Sequence, residues 1–292
     1  MDVSILSLPA SAPSVSVHLI DGTYELFRQF YGRRRFEKDR PRPLGAVAGV
    51  LHSILEMIEK GATHIGVGTD HVIESFRNRL WPGYKTDSGI EPTLRRQFLP
   101  LEQSLGAMGV AVWPMIELEA DDALASAAHA AAADKRVQQV SIWTPDKDLA
   151  QCVRGDRVVQ VLRKAKKILN AAAVRAKFGV DPERIPDLLA LVGDVADGYP
   201  GIEGIGRIGA ARLIARHGGI EDFPPEVLGG NRERALLFKK LATLRSDARL
   251  FGRVEEIRWR GPTEAFPAAA AQIGDARLLD RCLRAAEANE VR

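Results

Sequence analysis

Val15-Ser16-Val17-His18-Leu19-Ile20-Asp21 is a short β-branched run that ends on a carboxylate. The same design recurs at His64-Ile65-Gly66-Val67-Gly68-Thr69-Asp70 and at Val140-Ser141-Ile142-Trp143-Thr144-Pro145-Asp146. Such runs read as strands, placed at Val15–Ile20, His64–Gly68, Gly109–Trp113 and Val140–Trp143. Longer Ala- and Leu-rich segments lie between them, and Leu44–Lys60, Pro92–Met108 and Ala120–Ala133 read as helices. Strands alternating with helices predict an α/β fold, a mostly parallel sheet covered by helices. Ligands of such sheets bind beyond the carboxyl ends of the strands, which is where Asp21, Asp70 and Asp146 fall.

More acids join them. Glu119-Ala120-Asp121-Asp122 opens an Ala-rich helix, Asp148 follows Asp146 by two residues, and Asp194 and Asp197 precede a glycine-rich turn. Acids at a helix start favour its dipole, and Asp after a strand is common turn chemistry. Each acid alone has that plain explanation, but three acids within four residues exceed what one helix start needs. Two carboxylates about 4 Å apart repel by roughly 4 kcal/mol at an effective dielectric near 20. A divalent cation removes that cost, so the set predicts a multi-carboxylate metal site.

The chain has 292 residues, 41 Lys and Arg against 38 Asp and Glu, and two cysteines far apart, Cys152 and Cys282. That length supports a sizeable core. The cysteines supply neither a disulfide framework nor a structural zinc site and point to a reducing cytoplasm. No run approaches the ~20 apolar residues of a membrane span. Residues 1–14, rich in Ser and Pro without a basic start, read as a mobile tail rather than a signal peptide. Cations cluster at Arg28–Arg42, at Arg77–Arg96 and from Arg154 to Lys167. A basic surface around an acidic pocket suits a polyanionic substrate, although any one cluster is equally a solvated face.

Arg157–Leu162 and Lys167–Leu169 read as a hairpin, and Asn170 as the N-cap of a helix over Ala171–Phe178. Thr144-Pro145-Asp146-Lys147-Asp148-Leu149 reads as a strand-to-helix turn. Beyond a boundary near Gly179–Asp181 the pattern is helical, with further helices at Arg232–Leu244 and Leu278–Ala288. Pro200-Gly201-Ile202-Glu203-Gly204-Ile205-Gly206, followed by Arg207 to Ile214, is a helix-hairpin-helix signature. It frees backbone N–H groups at a helix start for phosphates. Ser75 to Lys85 mixes cations with Phe76, Trp81 and Tyr84, a composition for holding a frayed strand or simply an exposed basic loop. The scattered histidines read as ordinary.

Asp21-Gly22, then Asp70 with Phe76-Arg77 and Gly83-Tyr84-Lys85, then Glu119-Ala120-Asp121-Asp122 and Asp146-Lys147-Asp148-Leu149 stand in a fixed order. Gly193-Asp194-Val195-Ala196-Asp197 and Pro200-Gly201-Ile202-Glu203-Gly204-Ile205-Gly206 complete it. In order and spacing, from about Val17 to Phe223, the chain resembles the 5′-nuclease family. That family comprises the 5′-3′ exonuclease domain of bacterial DNA polymerase I and the flap endonucleases.

The resemblance implies a PIN-like (Rossmann-like) nuclease domain at 15–180 with an arch or clamp near 77–98. A helical subdomain at 181–292 would carry the helix-hairpin-helix. It further implies two divalent ions, Mg²⁺ or Mn²⁺. Asp21, Asp70, Glu119 and Asp121 would surround one ion, and Asp146, Asp148, Asp194 and Asp197 the other, with Asp122 between them or in the outer shell. Arg77 and Lys85 would draw the scissile phosphate in beside catalytic Asp121 and Asp122, with Tyr84 stacking and Arg79 on the strand. Gly201, Gly204, Gly206, Arg207 and Arg212 would grip the duplex, with K⁺ on the turn's carbonyls. The implied substrates are DNA flaps, nicks and 5′ ends, or RNA–DNA hybrids. The setting would be a monomer in the cytoplasm at the nucleoid, beside a polymerase or ligase.

The chain departs from the family where Asp-x-Ser-Asp-Asn is Asp194-Val195-Ala196-Asp197-Gly198, and where Lys-Thr is Ile208-Gly209. These changes weaken the phosphate and K⁺ contacts implied for the turn, where Arg207 and Arg212 can compensate, but leave every acid in place. The competing readings are a non-catalytic branched-DNA binder with the same fold and an RNA-directed PIN-like nuclease.

Overall fold

A computed structural model describes residues 15–34 and 43–290; the expected tail at 1–14 and most of the basic stretch Arg33–Arg42 lie outside the described residues. The chain runs β1 (Val15–Asp21), α1 (Gly22–Arg34), α2 (Gly45–Glu59), β2 (His64–Asp70), α3 (Phe76–Leu80), α4 (Pro92–Arg95) and α5 (Phe98–Ala107). Next come β3 (Ala111–Met115), α6 (Ala120–Ala133), β4 (Val137–Trp143), β5 (Val158–Leu162), β6 (Lys167–Leu169) and α7 (Ala171–Phe178). The rest is helical: α8 (Ile185–Val192), α9 (Arg207–His217), α10 (Pro225–Leu228), α11 (Arg232–Ala242), α12 (Phe266–Ile273) and α13 (Ala276–Glu290).

The sheet has the order β3-β2-β1-β4-β5-β6, parallel except for β6, which pairs antiparallel with β5 as the hairpin reading expects. Register explains how three distant acids meet. Asp21 pairs with Gly68, Asp70 with Met115, and Ile20 with Trp143, so the strands end level along one edge. The side chains of Val17, Leu19, Ile65, Val67 and Ile142 are buried on both faces of the sheet. Continuous apolar strands of this kind follow from helical cover on both sides.

Two expectations are corrected. The helix expected over Pro92–Met108 breaks at Arg96 and Gln97. Buried Gln97 turns inward, and its Oε1 accepts from the backbone N–H of Ala46 (3.2 Å) and Val47 (3.4 Å) at the start of α2. The break therefore satisfies donors that α2 cannot satisfy itself. The segment after Pro145 is also a 3₁₀ turn, Asp148–Cys152, and not an α-helix.

The C-terminal part divides. Residues from α7 to α11 form their own core around Leu188, Leu191, Tyr199, Ile214 and Phe238. From Val254 the chain instead returns to the α/β half. The N–H of Trp259 donates to Thr63 O at 2.7 Å, and its indole donates to Met108 O at 2.8 Å. Phe266, Ile273, Leu278 and Cys282 then pack into the core of α2 and α5. In place of one helical unit over 181–292, the last two helices complete the cover of the sheet.

Candidate metal centre and nucleic-acid interface

Hydrogen bonds that also start the following helices aim the strand-end acids. Asp21 Oδ1 accepts from the Tyr24 N–H at 2.8 Å and caps α1, while its Oδ2 accepts from the Thr144 hydroxyl at 2.9 Å. Asp70 Oδ1 accepts from the Ala120 N–H at 2.8 Å, which ties the end of β2 to the start of α6. Thr23 supports the other side, its hydroxyl accepting from the Asp70 N–H at 2.8 Å. Asp121 sits on the first turn of α6, in the field of Asp146, Asp21 and Asp70.

A second group forms beside the first. Carboxylate oxygens of Asp148, Asp194 and Asp197 lie within 4.8 Å of one another. Asp146 faces both groups, raising the proton affinity of Asp21 and Asp121 on one side and of Asp148 on the other. Asp148 Oδ1 is buried without a hydrogen-bond partner, as is the nearby Tyr199 hydroxyl. A buried orphan oxygen among carboxylates is costly, and an oxygen-ligated divalent cation supplies the missing partner. The residues fit a metal.

Two lysines already sit among the acids. Lys85 Nζ is 2.7 Å from Glu119 Oε2 and 3.1 Å from Asp197 Oδ1, and Lys147 Nζ is 2.5 Å from Asp194 Oδ2. Burial lowers the Lys85 pKa, but Glu119 and Asp197 outweigh burial and push it well up. Burial likewise raises Glu119, yet Lys85 and Arg77 hold its carboxyl below the usual range.

Arg77 and Tyr84 differ from their expected places, and Asp122 and Glu119 are held by protein donors. Arg77 is 1% exposed and points inward. Its guanidinium donates to Asp122 Oδ2 (2.7 Å) and Oδ1 (2.8 Å), to Glu119 Oε1 (2.9 Å) and to Leu241 O (2.8 Å). Asp122 is fully buried, and it also accepts from the backbone N–H of Glu119 and of Arg245. With both oxygens taken by the Arg77 guanidinium and two backbone N–H groups, Asp122 anchors the start of α6 from behind. Glu119 is held by Ser75, Arg77 and Lys85. Tyr84 is 4% exposed, its hydroxyl 3.4 Å from Glu119 Oε2, so its ring offers no stacking surface. Arg79 is on the surface, paired with Glu117 at 3.0 Å.

The segment 81–85 is stitched to the acidic turn. Trp81 Nε1 donates to Gly198 O at 3.0 Å, and the Lys85 N–H donates to Asp197 O at 3.0 Å. Gly198 has φ +83°, and a Cβ there would stand 2.0 Å from Gly83 O. The glycine in place of the family's Asn is what lets this clamp close. Beyond it, Gly201 has φ +73° and meets the Gly193 backbone, and Gly206 precedes α9. Arg207 lies 5.4 Å over the Phe178 ring, and with Lys177 and Arg212 it lines one groove between α7 and α9. Arg212 thus joins the turn, whereas Ile208 is 70% exposed where the family carries a cation. The sequence reading did not assign roles to Thr23, Ser75, Thr144 or Lys147. For Lys147, the Asp-Lys-Asp spacing was the available signal.

Burial raises the Asp21 pKa to about 7, with Asp70 and Asp146 adding to it against the hydrogen bonds from Tyr24 and Thr144. Burial also raises Asp70, Asp121, Asp148 and Asp197. A carboxyl raised by folding contributes its stability below pH 3.8 and loses it as pH climbs to about 7. For Asp21 alone that loss is roughly 4 kcal/mol. Half-buried His18 and buried His64 titrate in the opposite sense, since desolvation lowers both, so absolute stability mixes two effects. The increment given by metal isolates the acids. Adding Mg²⁺ is expected to raise Tm little at pH 5 and by roughly 10 °C at pH 8. Scanning fluorimetry with Mg²⁺ and with EDTA checks this, and an equal increment at both pH values would refute the assignment of these acids to the metal.

The family model described as "5'-3' exonuclease, N-terminal resolvase-like domain" matches residues 16–179, and "5'-3' exonuclease, C-terminal SAM fold" matches 180–265. DNA polymerase I of Pseudomonas aeruginosa is 33% identical over 290 residues, covering 92% of this chain, which spans 31% of that protein's length. The 5′-3′ exonuclease of Buchnera aphidicola subsp. Baizongia pistaciae is 30% identical over 253 residues, covering 80% of this chain and 83% of that one. Among solved structures, zinc-bound T5 5′-exonuclease superposes with a TM-score of 0.62 at 19% identity, over 93% of this chain and 98% of that chain. The catalytic core of Rad2 with DNA substrate superposes with a TM-score of 0.57 at 11% identity, over 94% and 93%. These likenesses bear on fold, and the sequence matches bear on ancestry: the chain belongs to the 5′-3′ exonuclease family.

Proposed function

We propose that the protein is a structure-specific 5′-3′ exonuclease and flap endonuclease. It hydrolyses DNA phosphodiester bonds with two divalent ions and leaves 5′-phosphate and 3′-hydroxyl ends. The observation that carries this reading is the convergence of Asp21, Asp70 and Asp121 at one sheet edge, beside Asp148, Asp194 and Asp197 with carboxylate oxygens within 4.8 Å of one another. Bound there, Mg²⁺ or Mn²⁺ would supply a lowered pKa for water and charge stabilisation for the leaving oxygen. Asp21, Asp70, Asp121 and Asp146 would hold one ion, and Asp146, Asp148, Asp194 and Asp197 the other. Lys85, a half-exposed cation among the acids, would exchange Glu119 and Asp197 for the scissile phosphate. Arg77 acts from behind by fixing Glu119 and Asp122.

A bound duplex lies on the turn at Gly201, Gly204 and Gly206 with Arg207 and Arg212, while Arg79 meets the strand at the rim. K⁺ at that turn, an RNA strand in a hybrid substrate, and a polymerase or ligase acting beside the enzyme belong to the same proposal. So do a monomeric state and a place in the cytoplasm at the nucleoid. No described helix is long and apolar enough to cross a membrane. One solved relative of this fold is a T5 flap endonuclease in a pseudo-enzyme–product complex with DNA and metal ions.

End-labelled 5′-flap, nicked and RNA-primed duplexes test the reading. Cleavage is expected with Mg²⁺ or Mn²⁺ and none with EDTA. Binding without cleavage in either metal would establish the non-catalytic alternative instead.

A further inference from the structure

Tyr199 is buried, and its hydroxyl has no hydrogen-bond partner. The residue lies between the two turn motifs, 193–197 and 200–206, and belongs to neither. Its backbone is pinned to the acidic turn: its N–H donates to Asp194 O at 3.0 Å, and its carbonyl accepts from the Asp194 N–H at 2.8 Å. Its ring stands 5.4 Å from that of Phe238, tilted by 32°, in the core that runs from α7 to α11. Packing accounts for the ring. It does not account for the hydroxyl, since an apolar ring would fill the same core without burying an unsatisfied O–H.

The neighbours of that hydroxyl are carboxylates. Burial first, and then Asp148, Asp197, Asp194 and Asp146, push the phenol above its usual range, so it is a hydrogen-bond donor and not an anion. Asp148 is the strongest of the four. The three clustered acids differ in what already holds them. Asp194 has Lys147 on Oδ2 and the Ala196 N–H on Oδ1, and Asp197 has Lys85 on Oδ1. Asp148 Oδ1 is buried with no donor. An unused buried donor and an unused buried acceptor therefore stand at the same cluster.

We propose that Tyr199 is a positioning residue of the second cation site, its hydroxyl donating to Asp148 when that carboxylate binds the ion. The inference rests on the two-ion nuclease reading and adds an outer partner to one of its ligands. A carboxylate that gives one oxygen to a cation keeps a second oxygen that needs a donor, and a partner there fixes the orientation of the ligand. The effect is selective. The second ion is held more tightly, while the first, on Asp21, Asp70 and Asp121, is untouched.

Tyr199→Phe tests this, because phenylalanine keeps the ring against Phe238 and removes only the hydroxyl. Mn²⁺ binding to the full chain, without DNA, is measured by calorimetric titration at pH 8. Wild type is expected to take up two ions. The variant is expected to bind one of them roughly 10- to 100-fold more weakly, as loss of a partner to a metal ligand predicts, and the other as wild type does. Melting in EDTA separates this from a packing defect. The variant should melt no lower than wild type there, since it loses an unsatisfied hydroxyl and no contact, and should gain less from Mg²⁺. If both Mn²⁺ affinities match wild type, or if the variant already melts lower in EDTA, Tyr199 is a packing residue and the proposal is overturned. The nuclease reading then still stands on the two ions of the wild type. A wild type that takes up fewer than two ions overturns the two-ion reading and this inference with it.

Discussion

Asp121→Ala is expected to lower kcat on a 5′-flap substrate by roughly 10³-fold or more while leaving substrate Kd within about threefold. Loss of a single electrostatic group at a transition state already costs about 10²–10³, and this residue stands among Asp146, Asp21 and Asp70, where it would face the ion directly. A purely structural role predicts a different signature. Burial and neighbouring carboxylates push the Asp121 pKa well up, so its charge opposes folding in the metal-free protein. The alanine variant should therefore melt higher than wild type in EDTA at pH 8 and gain less from Mg²⁺. Activity falls while metal-free stability rises. A variant that loses activity and stability together in EDTA would place Asp121 in the scaffold instead.

Much of this centre was readable because it is built from local rules. Asp21 and Asp70 follow β-branched runs, and the parallel register alone carries them to one edge. The helix over Ala120–Ala133 and the Asn170 cap, which accepts from the Ala173 N–H at 2.9 Å, follow from composition and short-range hydrogen bonding. The misplaced residues depend on partners far along the chain. Arg77 looks like a surface cation within Phe76-Arg77-Asn78-Arg79, yet its acceptors lie at Glu119, Asp122, Leu241 and Thr243. Tyr84 looks like a stacking residue until the turn at Gly198 closes over its neighbour Gly83. The return of Trp259 to Thr63 and Met108 carries no periodic signal at all. Motif order names the acids that the fold brings together, and the arginine and lysines then compete for them.

That competition makes Arg77→Met the variant with the largest expected effect on stability, a loss of about 3–5 kcal/mol. Methionine keeps the apolar length of the side chain, so the loss measures the charge. Without the guanidinium, Asp122 is left fully buried with only two backbone donors, and Glu119 keeps Lys85 and Ser75. Acceptors at Leu241 O and Thr243 O lose their donor as well, loosening α11 where it meets α3. Tm should fall by roughly 10 °C, well beyond the effect of Arg79→Met, whose exposed pair with Glu117 is worth about 0–1 kcal/mol. Pairing the variant with Asp122→Leu removes the stranded charge and should recover a large part of the loss, because two apolar groups replace a buried pair at little net cost. Calorimetry on the two single variants and the double variant measures the coupling directly. If Arg77→Met melts within about 2 °C of wild type while cleavage collapses, the arginine faces the substrate phosphate and not the protein's own carboxylates.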